Sequence, residues 1–155
     1  MKIRKAQIKD LQEIDEIYRE GQLDEEKNKS PRKSKKEILK ELVESKKVRQ
    51  SGFKKAINSS KENFLVCEEN NELIAFGDAV VSSKNKGAEV ALIYVRKEYR
   101  GKGIGKKIMK ELLKWLKEKG ENKVFVTTDI ENKASINLNK KAGFKESIII
   151  MEKKL

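Results

Sequence analysis

The sequence predicts an α+β fold, a mostly antiparallel sheet flanked by helices, as one domain spanning residues 1–155. Three observations predict it. Between Phe64 and Val95 three short runs rich in apolar residues follow one another with only Asn- and Gly-containing turns between them, which is the pattern of an antiparallel meander. Two stretches of helical period precede this meander, and a third follows it from Gly103 to Lys119. One proline and scattered glycines leave no linker, no segment repeats, and 155 residues suffice to bury a single core.

Lys2 to Ala6 reads as the first strand. Asp10 then begins a helix in which Leu11, Ile14, Ile17 and Tyr18 share a face. Its other face carries Asp10, Glu13, Asp15, Glu16 and Glu20; with Asp24 to Glu26 in the following loop these acids form a negative patch on a basic chain. Such a patch is either solvated surface or an attractor of cationic amines. Ser34-Lys35-Lys36-Glu37 has capping-box spacing, so a helix follows with Ile38, Leu39, Leu42 and Val43 buried. Gly52 interrupts a pattern that resumes through Phe53 and Ile57.

Phe64 to Glu68, Leu73 to Ser82 and Glu89 to Val95 are the three strands of the meander, with Glu69-Asn70-Asn71-Glu72 as one of its turns. The helix from Gly103 to Lys119 buries Ile104, Ile108, Leu112 and Trp115 or Leu116, and Gly120 is placed as a left-handed cap. Lys123 to Asp129 is the next strand; Asn132 opens a short helix through Ala142, Gly143 ends it, and Ser147 to Lys153 gives a last strand.

Composition removes several chemistries. The chain has no histidine, which excludes imidazole triads, histidine-ligated metals and a histidine base. Its single cysteine, Cys67, lies in the apolar run from Phe64 and reads as a core residue; no internal disulfide is possible and the cytoplasm is the expected compartment. The N-terminus spreads its charges and does not read as a secretory signal, and no apolar stretch approaches membrane-spanning length. A net charge of +12 attracts anions such as nucleic acid or a phosphorylated cofactor. Nucleic acid is the less expected partner, because aromatics are only 6% of the chain and no binding motif accompanies the lysines between Arg32 and Lys55.

One segment carries function. Ala91 to Val95 runs through Arg96 to Tyr99 into Arg100-Gly101-Lys102-Gly103-Ile104-Gly105, and the long helix starts there. A strand, turn and helix of this kind presents unpaired N–H groups at the positive end of a helix dipole, as a pyrophosphate requires. Each charge-assisted bond contributes roughly 1.5 to 3 kcal/mol. A dinucleotide fold would want this unit at the start of a parallel βαβ array, whereas here three strands without helices precede it.

The segment resembles the acetyl-CoA-binding motif of the GNAT superfamily of N-acetyltransferases, which reads Arg or Gln, two residues, Gly, one residue, Gly or Ala; Arg100, Gly103 and Gly105 match. Downstream, Asn132, Leu138, Gly143 and Phe144 match the family's second motif, with Ser135 where alanine is usual. The resemblance covers residues 64 to 155. It implies an α/β/α layered fold with a mixed, mostly antiparallel sheet of about six to seven strands, splayed at the cofactor site.

It also implies acetyl transfer from acetyl-CoA to a primary amine. Pantetheine would add like a strand against Ile93, Tyr94 and Val95. Arg100, Gly101, Lys102, Gly103, Ile104, Gly105 and Lys106 would hold the pyrophosphate, Asn132 would help bind the cofactor, and Lys106, Lys107, Lys140 or Lys141 would approach the adenosine phosphates. Glu89, six residues before Val95, is the first candidate for the base that deprotonates the amine, with Asp129 and Asp78 in reserve and Thr127 where other members place a glutamate. Asn139 departs from the pattern: it stands where the family has a tyrosine that protonates the leaving thiolate, unless the helix is shifted and Asn139 is a surface residue. A thiolate, with a thiol pKa of about 8.5, is a fair leaving group, so the change slows transfer rather than forbidding it. Water, Tyr94 or Tyr99 would then substitute.

A CoA-binding regulatory module of weak activity and a small-molecule or polyamine acetyltransferase are the alternatives. A protein or peptide amine is the preferred acceptor, on a monomer or homodimer.

Overall fold

The structure is a computed structural model that describes residues 1–29, 34–81 and 87–148, with backbone alone for 26–29. The described residues form one five-stranded sheet in sequential order: β1 (Lys2–Lys5), β2 (Glu62–Glu69), β3 (Glu72–Val80), β4 (Ala88–Val95) and β5 (Val124–Phe125). The first three pairings are antiparallel and β4 with β5 is parallel. Asn70 and Asn71, with φ of 52° and 63°, close the β2–β3 hairpin as a two-residue turn that requires left-handed backbone at both positions.

Helices cover both faces. On one side α4 (Ile104–Glu118) lays Ile104, Ile108, Met109, Leu112 and Leu116 on Leu65, Cys67, Ile74, Ala75 and Val90. On the other, α1 (Leu11–Lys29) and α3 (Lys46–Asn58) enclose Ile14, Ile17, Phe53, Phe64, Val66, Phe76 and Tyr94. Short helices α2 (Lys35–Glu44) and α5 (Lys133–Lys141) complete the chain's described part. This is the layered α/β/α arrangement expected, with five described strands against six to seven. Cys67 is fully buried, and burial pushes its thiol up, so it is core rather than nucleophile.

Three differences from the sequence reading have local causes. Helix α1 continues to Lys29, which puts Asp24 and Glu25 on a helix rather than in a loop. The break expected at Gly52 falls instead at Ser45, where the Arg49 side chain donates to Leu42 O and to Ser45 Oγ and finishes α2. The strand expected over Lys123 to Asp129 is reduced to Val124 and Phe125 because β4 bends away from it. Of the last expected strand, Ser147 and Ile148 are not in a strand and 149–153 lie outside the described residues.

Candidate active site

The site begins as a fault in the sheet. Asp78 pairs with Leu92 but its neighbour Ala79 pairs with Val90, so Ala91 is an extra residue on β4, a β-bulge. Bulges bend a strand and increase its twist. Immediately before it, Ala88 and Glu89 still pair with Val124 and Phe125; beyond it, no described strand pairs with the β5 side of Val90 to Val95. The two strands part there, and the cleft between them, about 720 Å³, is walled by α1, the 126–129 segment, the Gly101–Lys106 turn and α5.

At one end β4 passes through a 3-10 turn, Lys97–Tyr99, into the glycine turn. Gly101 and Gly103 have φ of 78° and 79°, a conformation that strongly favours glycine, and a Cβ on either would meet nothing within 4 Å. Gly103 is the N-cap of α4 and supplies no side-chain cap, so the first-turn N–H groups of Ile104, Gly105 and Lys106 point out unclaimed by a capping side chain. Gly105 differs: its φ is ordinary, and a Cβ there would make van der Waals contact with Leu138 at 3.4 Å.

The guanidinium of Arg100 donates Nε to Val95 O at 2.9 Å and Nη1 to Asp24 at 2.7 Å. It folds the turn back onto β4 and ties it to α1. The Lys102 ammonium sits over the Tyr99 ring at 5.0 Å, and Lys106 is exposed on the first turn of α4. Among the other lysines considered, Lys141 lines the cleft, Lys140 pairs with Glu146, and Lys107 is exposed but not among the cleft residues. Ile93 and Val95 pack toward α4 while Tyr94, between them, points to the α1 side.

On the far wall Asn132 caps α5, its Oδ1 accepting from Ser135 N–H at 3.0 Å. That fixes the amide, so Nδ2 donates across the cleft to Glu25 at 3.1 Å. Asn139 is 6% exposed and lines the cleft, with its Nδ2 toward Ser135 Oγ at 3.4 Å. Asn139 is therefore not a surface residue.

Glu89 is not brought together with these residues. It lies in the paired foot of β4, opposite Val80 and Phe125, and is not among the residues lining the cleft; its side chain alternates with core-facing Ala88 and Val90 and so faces the α1 side. Thr127 and Asp129 do line the cleft. Asp78 lies beside the bulge, across from Phe64 and Leu92, and its Oδ1 has no partner; burial and the neighbouring Glu62 carboxylate push its pKa up to about 7.

The α1 wall was not legible beforehand. Gln22 Nε2 donates to Tyr94 Oη at 2.5 Å and to Glu25 at 3.1 Å, and Tyr94 donates to Glu25 at 3.3 Å. Burial and the Glu25 carboxylate push the Tyr94 phenol far above its ordinary value. Tyr94 thus keeps its proton and donates it in a hydrogen bond to Glu25. The acidic patch on α1 was the available signal; nothing in the sequence joined it to Tyr94.

The model of the acetyltransferase (GNAT) family matches residues 14–144. The chain belongs to this family. An uncharacterized N-acetyltransferase of Methanocaldococcus jannaschii is 28% identical over 103 residues, covering 63% of this chain and 46% of that protein. N-alpha-acetyltransferase 30 of Schizosaccharomyces pombe is 31% identical over 55 residues, covering 36% of this chain and 37% of that one. The matches thus span less than half the length of these relatives. Among solved structures, the PaiA N-acetyltransferase of Thermoplasma acidophilum in complex with coenzyme A has a TM-score of 0.77 at 25% identity, covering 93% of this chain and 89% of that one. An aminoglycoside 6′-N-acetyltransferase of Acinetobacter haemolyticus has a TM-score of 0.70 at 16% identity, covering 100% and 99%, a likeness of fold alone. In this chain the cleft lies where the central sheet opens. No helix among the described residues is long and apolar enough to cross a membrane, and none of their acidic or thiol side chains cluster as a metal site.

Proposed function

We propose that this GNAT chain moves an acetyl group from acetyl-CoA to a primary amine, with a peptide or protein amine as acceptor. The observation that carries the reading is the continuity of the unpaired β4 edge with the glycine turn and the uncapped start of α4. An extended amide chain fits the backbone groups of Ile93 and its neighbours that face away from β3, up to Val95 O, which Arg100 already engages, as a peptide fits a sheet edge. A diphosphate fits the N–H groups of Ile104 to Lys106, reinforced by the α4 dipole, with open space above Gly101 and Gly103. When bound, acetyl-CoA supplies an acetyl group activated as a thioester.

The chain's own residues would then position and deprotonate the amine. Glu89 remains the proposed proton acceptor, on the α1 face of β4 just before the strands part, reaching the cleft through a water. The peptide preference draws on the wide cleft and on the partial similarity to an N-alpha-acetyltransferase. A second reading, a cofactor-binding module of low turnover, draws on Asn139, whose amide has no proton to transfer.

The test is calorimetry with coenzyme A, followed by thiol release from acetyl-CoA with a panel of peptide, polyamine and aminoglycoside amines. Coenzyme A binding with turnover of peptides supports the reading; binding without turnover of any amine favours the second; absence of binding defeats both. Glu89→Gln should lower kcat about tenfold or more if Glu89 takes the proton.

A further inference from the structure

We propose that Ser135 and Asn139 of α5 act as a pair of hydrogen-bond donors to the sulfur of coenzyme A and hold its negative charge as it departs. The inference rests on the transfer reading above and adds the residues that receive the leaving group.

The two residues are one helical turn apart, at i and i+4 on one face of α5, and both line the cleft. Asn139 is only 6% exposed, and an amide so buried is ordinarily given partners by the protein. Here its side chain finds one among the described residues, Ser135 Oγ at 3.4 Å, well short of what an amide can bond. Ser135 Oγ accepts that bond, and its own proton meets no acceptor among the described residues. The Asn132 cap takes the Ser135 backbone N–H, which fixes the start of the helix and leaves the hydroxyl unspent. The pair therefore offers the cleft the Ser135 hydroxyl proton and the remaining Nδ2 proton of Asn139.

Next to Asn139, Leu138 meets Gly105 where the side chains of Ile93 and Val95 also converge, so α5 is seated against the opened edge of β4. An amide arm laid on that edge has its amides satisfied by strand pairing, and the sulfur at its end is the acceptor left over. In the transfer, the amine nitrogen bonds to the acetyl carbon as the carbon–sulfur bond breaks. The electron pair stays on sulfur, and the amine proton passes to the proposed acceptor Glu89. Donors aimed at that sulfur bond more strongly to the developing anion than to the neutral thioester, so they lower the barrier rather than the ground state.

The experiment titrates the thiol of coenzyme A bound to the protein, followed as thiolate absorbance in the ultraviolet against a blank with desulfo-coenzyme A. Wild type should hold that pKa below the free value of about 8.5, because donors favour the charged form. Ser135→Ala combined with Asn139→Leu changes no charge, so the field of the lysines is kept. It should raise the pKa of the bound thiol by about one unit, an about tenfold loss of thiolate, while affinity for desulfo-coenzyme A stays within about twofold. Ser135→Ala alone should fall between and keeps the test decisive if the double variant folds poorly; Ser135→Thr, which keeps the hydroxyl, should match wild type. In turnover the double variant should lower kcat about tenfold with the amine KM within about twofold. The same bound-thiol pKa in wild type, Ser135→Ala and the double variant, or an equal loss of affinity for coenzyme A and desulfo-coenzyme A, would overturn the proposal and leave the transfer reading standing. Failure of coenzyme A to bind wild type would overturn both.

Discussion

Gly21 of α1 rests against the ring of Tyr94 on β4 so closely that a Cβ on Gly21 would collide with ring carbons Cδ1 and Cε1. A glycine inside a helix costs about 1 kcal/mol relative to alanine, so helix propensity alone favours Gly21→Ala. The collision should outweigh it. Gly21→Ala is expected to lose about 1 to 3 kcal/mol in denaturant melts and to raise the amine KM, as α1 lifts and Gln22 leaves Tyr94. Unchanged stability would show that α1 can shift without cost.

Asp78 should make stability fall as pH rises. Its folded-state pKa is raised to about 7, so the folded protein binds this proton more tightly than the unfolded chain. The stability it lends is complete below the unfolded value near 4 and is lost as pH rises through about 7, a change on the order of 3 to 4 kcal/mol at most. Asp10 has the opposite sign: burial would raise it, but Arg4 and the Gln7 N–H hold it below its ordinary range, so its contribution is lost in acid. Asp78→Asn should therefore raise Tm by about 5 °C or more at pH 8 and change it little at pH 4, read by calorimetry.

The two motif glycines should respond differently. Gly103 sits at φ 79°, where a side chain costs about 1 to 2 kcal/mol, so Gly103→Ala should weaken coenzyme A binding about tenfold. Gly105→Ala would place its methyl in ordinary contact with Leu138, and its affinity should stay within about threefold. Titration calorimetry on both variants decides.

Asn139→Tyr puts a phenol where the motif resemblance expects the family's tyrosine. If protonation of the leaving sulfur limits turnover, kcat should rise by up to about tenfold, and Tm should fall because a 6% exposed asparagine leaves little room for a ring. A kcat unchanged across pH 6 to 9, taken as about the working range, would show that the step is not limiting.

The parts of this fold that declare themselves in the sequence are those whose signals are local. The α4 helix shows its stripe from Ile104 to Leu116, the glycine turn its spacing, and α5 its Asn132 cap. The Asn70-Asn71 turn declares itself for the same reason. What could not be seen depends on residues far apart. Gly21 gives no signal of its own and Asp24 to Glu26 read as a loop after the helix, because the Tyr94 ring that makes a glycine necessary lies on β4. Glu25 and Asn132 are separated by 107 positions, and no periodicity links them. Likewise the strand after α4 has adequate β-formers through Val126, yet the bulge at Ala91 on another strand removes its partner.

That bulge has a consequence for handling the protein. An exposed strand edge is a template for any passing strand, and the segment from Val90 to Val95 is apolar apart from its tyrosine hydroxyl. Whatever lies along that edge acts as a stopper against oligomers built edge to edge. Light scattering of concentrated samples should therefore grow more slowly when coenzyme A is supplied during storage, and a variant with Ala91 deleted, its strands zipped together, should stay clear without it.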